Sequence, residues 1–126
     1  LYNPKLPWLE VPGQVHALLK ENGYRNHKEV LSFTHHLHDT EHPKHHRYQI
    51  PWLHPEFQPW TSAEEVVRFC YANEMRFIVF RDMQWTAREI NGMSEMILKN
   101  LIRTCRVILN EPGLTVLEVP KSLPEP

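Results

Sequence analysis

Cysteine is scarce in this chain: Cys70 and Cys105 are the two, and no CxxC pair exists. That excludes a cysteine-rich zinc site and a redox dithiol. Each cysteine falls among apolar neighbours in a segment that reads as a helix. Two buried free thiols suit an intracellular protein, with a single disulfide between the helices as the other option. Glycine is almost as rare, four in 126 residues, so no glycine-rich loop is present to cradle a phosphate. No GxSxG elbow and no HExxH pair occurs, and the chain leans away from an enzyme. Nor is there a run of about 20 apolar residues, the length a membrane span requires. Net charge is also missing: −1 with the histidines neutral. No overall basic field draws the chain to nucleic acid.

What is abundant is histidine, and it is confined to one half. Six of the nine histidines lie between His35 and His46, and His16, His27 and His54 flank them. None follows His54. An unperturbed imidazole titrates near ~6.5, so acidification charges the first half and leaves the second unchanged.

Proline is the other common breaker, 11 in all. Pro43, Pro51, Pro55 and Pro59 divide the chain into two blocks. Residues 1–11 read as an extended N-terminal arm that Trp8 helps to dock. Residues 12–38 read as a helix pair. The first helix starts at Pro12, buries Val15, Leu18 and Leu19, and ends at Gly23. The second opens at Asn26 with Glu29 as its capping-box partner, and stops before Pro43. Residues 39–60 form a connecting segment rich in histidine, proline and tryptophan. Arg47–Trp52 alternates well enough for one short strand, but the prolines forbid a central one.

Residues 61–119 form the better specified core. Thr61 or Ser62 caps a helix that buries Ala63, Val66, Val67 and Cys70. Met75–Phe80 is a strand whose apolar centre, Phe77 to Phe80, implies cover on both faces. Thr86 with Glu89 opens a long helix over 87–109, with Ile90, Met93, Ile97, Leu101, Cys105 and Ile108 as its stripe. Pro112-Gly113 turns the chain into a last strand, Leu114–Val119. If the long helix joins the two strong strands directly, they run parallel. Residues 120–126 read as a tail. The whole is a small single α+β domain.

Three surfaces carry candidate chemistry. The first is metal: His38, His42 and His46 stand at HxxxH spacing, and Asp39 or Glu41 can add an oxygen ligand. Zinc is the ion such a set suits, and hydrolysis the chemistry it would support. Pro43 interrupts the helix that this spacing needs. His35 with Asp39 at i,i+4 offers an acid–base pair. The alternative for the whole segment is a solvated helix end.

The second surface is nucleic acid. The exposed cations Lys99, Arg103 and Arg106 of the long helix can touch RNA or DNA phosphates. The outline Gln14–Leu37 resembles a helix-turn-helix. Its second helix would present His27, Lys28, Ser32, His35 and His36, few of them the side chains that read bases.

The third surface is apolar. Trp8, Trp52, Phe57 and Trp60 sit among prolines, where tryptophans often anchor interfaces. Packing on their own core is the alternative. The composition favours a non-enzymatic domain that docks with a protein partner inside a larger assembly.

Overall fold

The computed structural model describes residues 6–34, 37–41, 48–51, 59–90 and 93–121. The chain folds as α+β around a four-stranded mixed sheet. The elements are α1 (Leu6–Glu21), a 3-10 turn (His27–Glu29), β1 (Val30–Ser32), α2 (Ala63–Ala72), β2 (Phe77–Phe80), α3 (Met83–Glu89), α4 (Glu95–Thr104), β3 (Arg106–Glu111) and β4 (Leu114–Glu118). The strand order is β1-β2-β4-β3. Among the described residues no helix is long and apolar enough to cross a membrane.

Alternation along the strands builds two apolar layers. Val30, Phe77, Val79, Leu114 and Val116 point to α1, where Val11, Val15 and Leu19 meet them. Leu31, Ile78, Phe80 and Leu117 point the other way, into Val66, Val67 and Cys70 of α2 and Ile97, Leu98 and Leu101 of α4. A strand covered on both faces needs apolar residues at every position, and β2 has them: all four are fully buried. Full burial of one such side chain contributes about 1.5–3 kcal/mol. The buried face expected for α2 is borne out residue by residue.

Several expectations are corrected. Residues 6–11 are not an extended arm. They belong to α1, with Pro7 in its first turn, where the missing N–H costs nothing, and Pro12 inside the helix rather than at its start. The capping box of Asn26 and Glu29 is present, but it opens a 3-10 turn and then a strand, not a second helix. Val30 and Leu31 are buried on opposite faces, as in a strand. The likeness to a helix-turn-helix ends there.

The long helix over 87–109 is three elements. Asp82, not Thr86, caps α3, and its carboxylate accepts the Trp85 N–H at 2.7 Å. Ser94 then caps α4 by accepting the Ile97 N–H. After Cys105 the β-branched pair Val107-Ile108 forms a strand ahead of the Pro112-Gly113 turn. That additional strand reverses the direction of the one that follows it. β4 therefore pairs with β2 antiparallel, with Ile78 opposite Leu117. The parallel neighbours are β1 and β2, joined through α2.

The two edges of the sheet differ. On the β1 side the chain at 48–50 runs alongside: Ser32 N–H donates to the Gln49 carbonyl at 2.8 Å, and Gln49 N–H to the Val30 carbonyl at 3.0 Å. Of the strand expected over 47–52, this is a single bridge, Leu31 with Gln49. On the far side, among the described residues, nothing pairs with the outer edge of β3.

Candidate functional site

Packing places one histidine where the sequence pattern did not. Val11, Val15 and Leu19 repeat every four residues along α1 and face the sheet. His16 follows Val15 and is carried inward with it, 4% exposed. Lys20 is one turn further along the same flank. The helix then closes in a Schellman motif. Tyr24 N–H reaches the Leu19 carbonyl at 3.0 Å, and Gly23 N–H the Lys20 carbonyl at 3.2 Å. Gly23 supplies the positive φ of 91° that this closure needs. The motif folds Tyr24 back beneath α1, its ring 5.3 Å from His16 and nearly perpendicular to it.

The segment after β1 brings two carboxylates to the same spot. Asp39 Oδ1 accepts the Glu41 N–H at 2.9 Å, an Asx-turn that sets both side chains side by side. Asp39 Oδ2 accepts the Tyr24 hydroxyl at 2.9 Å. His16 Nε2 stands 3.3 Å from Asp39 Oδ1 and 3.8 Å from Glu41 Oε2. On the ring's other side Nδ1 is 3.3 Å from the buried Tyr48 hydroxyl. Lys20 Nζ donates to Glu41 Oε1 at 2.6 Å.

The electrostatics follow from these contacts. Hydrogen bonding and charge from Lys20 hold the Glu41 carboxyl below the usual range. Burial, then the hydrogen bond to Asp39, pushes the Tyr24 hydroxyl well above its ordinary value. Burial, then the Asp39 charge, does the same to Tyr48. Both phenols therefore stay neutral and serve as hydrogen-bond groups beside His16 and Asp39.

His16 Nε2 is buried and lacks the alignment for a hydrogen bond, although Asp39 is near enough for an ion pair. Among the described residues it is the buried side-chain polar atom without a hydrogen-bond partner. His16, Asp39 and Glu41 each offer a ligand atom, all within 4.8 Å of one another.

The residues singled out by sequence are placed differently. Asp39 is in this cluster, but its described imidazole neighbour is His16, one turn from Lys20 on α1. His38 is half-buried beside Asp39 in the chain and is not one of the three converging ligands. His42 and His46 lie outside the described residues, as does His35 of the expected acid–base pair. Trp60 is a core side chain, 5% exposed, edge-on to Phe33 and Phe69 at 6.0 and 5.4 Å. It is no surface anchor. Trp8 lies in α1, while Trp52 and Phe57 are outside the described residues. The basic stripe is divided: Lys99 and Arg103 are on α4, and Arg106 is on β3. Arg106 Nε donates to Glu118 Oε1 at 2.7 Å, and its Nη2 to Asn22 Oδ1.

A cleft of about 530 Å³ opens elsewhere, between Arg25, Lys28, Tyr71, Arg76, Glu118 and Lys121. Its central cation, Arg76, is tied to the Gly23 carbonyl at 2.7 Å and to Glu29 at 3.4 Å. No residue of the His16 cluster lines it, so that cleft and the His16 cluster are in different places.

The outer edge of β3 has its own pattern. Arg106 is opposite Glu118, Val107 opposite Leu117, Leu109 opposite Val116, Asn110 opposite Thr115 and Glu111 opposite Leu114. A bulge between Val107 and Leu109 lets Ile108 and Leu109 both pack towards the α1 layer. Arg106 and Glu111 consequently share that face, whereas Val107 and Asn110 share the other. Val107 is 43% exposed.

The chain matches no protein-family model, no curated protein and no solved structure.

Proposed function

We propose that this chain is an assembly domain that docks through the open edge of β3, and that its partner there is a second copy of itself. The reading rests on one observation: the face pattern of β3 is the same read from either end. From Arg106 to Glu111 the residues point to α1, away, to α1, to α1, away and to α1. A two-fold axis between Ile108 and Leu109 maps this pattern onto itself. In such an antiparallel pair Arg106 of one copy faces Glu111 of the other, twice, and Ile108 faces Leu109. Opposite charges directly across a strand pair stabilise it, and an isologous contact is the usual way two identical chains associate.

This docking role uses a different surface from the tryptophan segment. A strand edge supplies main-chain donors and acceptors in a row, and added strands are a recurring mode of recognition. The β1 edge is covered by residues 48–50, which leaves β3, among the described residues, as the side on which the sheet can grow.

Solution mass tests the proposal. Wild type is expected near twice 15.0 kDa at micromolar concentration. Glu111→Arg sets two arginines against each other at both ends of the pair, and is expected near 15.0 kDa with unchanged circular dichroism. A wild type that is monomeric at all concentrations up to about 100 μM overturns it.

A further inference from the structure

We infer that His16, Asp39 and Glu41 form a binding site for a single divalent transition-metal ion, with zinc the best fitted, which takes its carboxylates from the histidine-rich stretch and its imidazole from α1. The inference does not depend on how β3 docks.

Four observations converge on it. The first is separation. Zinc binds imidazole nitrogen and carboxylate oxygen at about 2.0–2.2 Å, so tetrahedral ligand atoms stand about 3.3–3.5 Å apart. His16 Nε2 and Asp39 Oδ1 are already 3.3 Å apart, and Glu41 Oε2 is 3.8 Å from Nε2. The second is the condition of His16 Nε2, which is buried without a hydrogen-bond partner and aimed at both carboxylates. The Tyr48 hydroxyl is 3.3 Å from Nδ1, and the tautomer that donates Nδ1–H to it would present a lone pair at Nε2, the form that ligates metal.

The third observation is the surrounding support. Metal-binding imidazoles and carboxylates are held from behind by further hydrogen bonds. Tyr48 lies behind His16 at 3.3 Å, and Tyr24 holds the far oxygen of Asp39 at 2.9 Å. The fourth is charge and access. Among the described residues two carboxylates face one imidazole, and Lys20 holds Glu41 Oε1, which leaves Oε2 for an ion. The Glu41 side chain is 53% exposed, so an ion can enter from its side and keep water as a further ligand.

The donor set selects the ion class. One nitrogen and two oxygens exclude a thiolate-seeking metal and favour zinc, with manganese and iron(II) behind it. Calcium and magnesium call for all-oxygen shells.

The test must separate this site from adventitious binding by other histidines. In a reduced chain, His35, His36, His42, His45 and His46 are all replaced by Gln. Zinc alone is then titrated calorimetrically into protein purified without a histidine tag or metal column, and melting is followed with and without zinc. One equivalent is expected in the reduced chain, with a zinc-dependent rise in melting temperature. Glu41→Gln in that background is expected to weaken binding by tenfold or more and to erase the rise. Because Glu41 is exposed, this variant keeps the metal-free melting temperature close to its parent. Lys20→Met, which removes the competing cation, is expected to tighten binding. Absence of saturable binding and of any zinc-dependent melting shift in the reduced chain overturns the site. So does binding that Glu41→Gln and Asp39→Asn both leave unchanged.

Discussion

His16 of α1 and Asp39 of the loop after β1 meet at 3.3 Å, Nε2 to Oδ1, with both side chains buried. They are distant in sequence and meet because α1 lies on the sheet face beside which that loop passes. Their contact is the point where the helix layer and the loop are fastened together. Whether the imidazole offers a lone pair or a proton there depends on what its other nitrogen does.

Tyr48→Phe tests that dependence. The substitution keeps the ring in the core and removes only the hydroxyl 3.3 Å from Nδ1. Zinc affinity is expected to fall by about 10–100-fold, the usual effect of removing a group that orients a ligand. Stability should fall by only about 1 kcal/mol, as for one hydrogen bond. Unchanged affinity would show that the hydroxyl does not choose the tautomer.

Acid sensitivity should centre on Glu29. Burial raises its carboxyl, but hydrogen bonds from the Arg25 side chain and backbone, the Asn26 N–H and Arg76 outweigh burial and lower it below 4.5. A carboxyl whose folded value is depressed favours the fold above its unfolded value. That contribution is complete above about pH 5 and is lost as the pH falls through 4.5 and below. The melting temperature of wild type should drop across that interval more steeply than that of Glu29→Gln. Parallel curves for the two proteins from pH 6 to pH 3.5 would contradict the assignment.

Both thiols should be inert in the folded protein. Cys70 and Cys105 are free and buried. Burial, then the neighbouring Cys105, pushes the Cys70 thiol far up, and burial pushes Cys105 up to about 11. The reactive thiolate is therefore scarce at neutral pH. A disulfide reagent at pH 8 should label neither cysteine in native protein and both in urea. Rapid native labelling of either would contradict their burial.

Glu74→Gly should stabilise the fold. Glu74 ends α2 with a φ of 56°. Met75 N–H reaches the Cys70 carbonyl at 2.8 Å and Glu74 N–H the Tyr71 carbonyl at 3.3 Å. These two bonds make the second Schellman closure of the chain. A side chain in the left-handed region costs roughly 1–2 kcal/mol, while glycine's extra freedom in the unfolded chain returns roughly 0.5–1. A rise of a few degrees in melting temperature is expected, and a fall would contradict it.

What could be read from the sequence was whatever local chemistry decides. Ala63, Val66, Val67 and Cys70 declare the buried face of α2, and Phe77–Phe80 declares a strand covered on both sides. Local pattern misleads where a long-range partner decides. Val30-Leu31 fits either a helix face or a strand until β2 and residues 48–50 pair with it. Ile108 extends the helical stripe of α4 until the hairpin with β4 claims it. Asn91-Gly92 and Ser94 were local signals for dividing the long helix, and the apolar stripe obscured them.

The site was half legible for the same reason. Asp39 and Glu41 attract attention beside so many histidines. Their described imidazole partner, His16, lies in an earlier helix, beyond the reach of any local spacing pattern. Its signal was modest: a histidine next to the buried Val15 on an amphipathic helix. Local spacing favours His38 and His42; His38 is not one of the three converging ligands, and His42 lies outside the described residues.

The self-docking of β3 is tested most directly by mixing two charge-reversed proteins. Arg106→Glu carries two acids along the edge, and Glu111→Arg carries two bases. Each should repel its own copy, yet each complements the other at both ends of the strand pair. Native mass spectrometry of the separate proteins is expected to show monomers. The equimolar mixture is expected to show one heterodimer of about twice 15.0 kDa. Two monomers that remain apart on mixing, with both folds intact by circular dichroism, would contradict assembly through this edge.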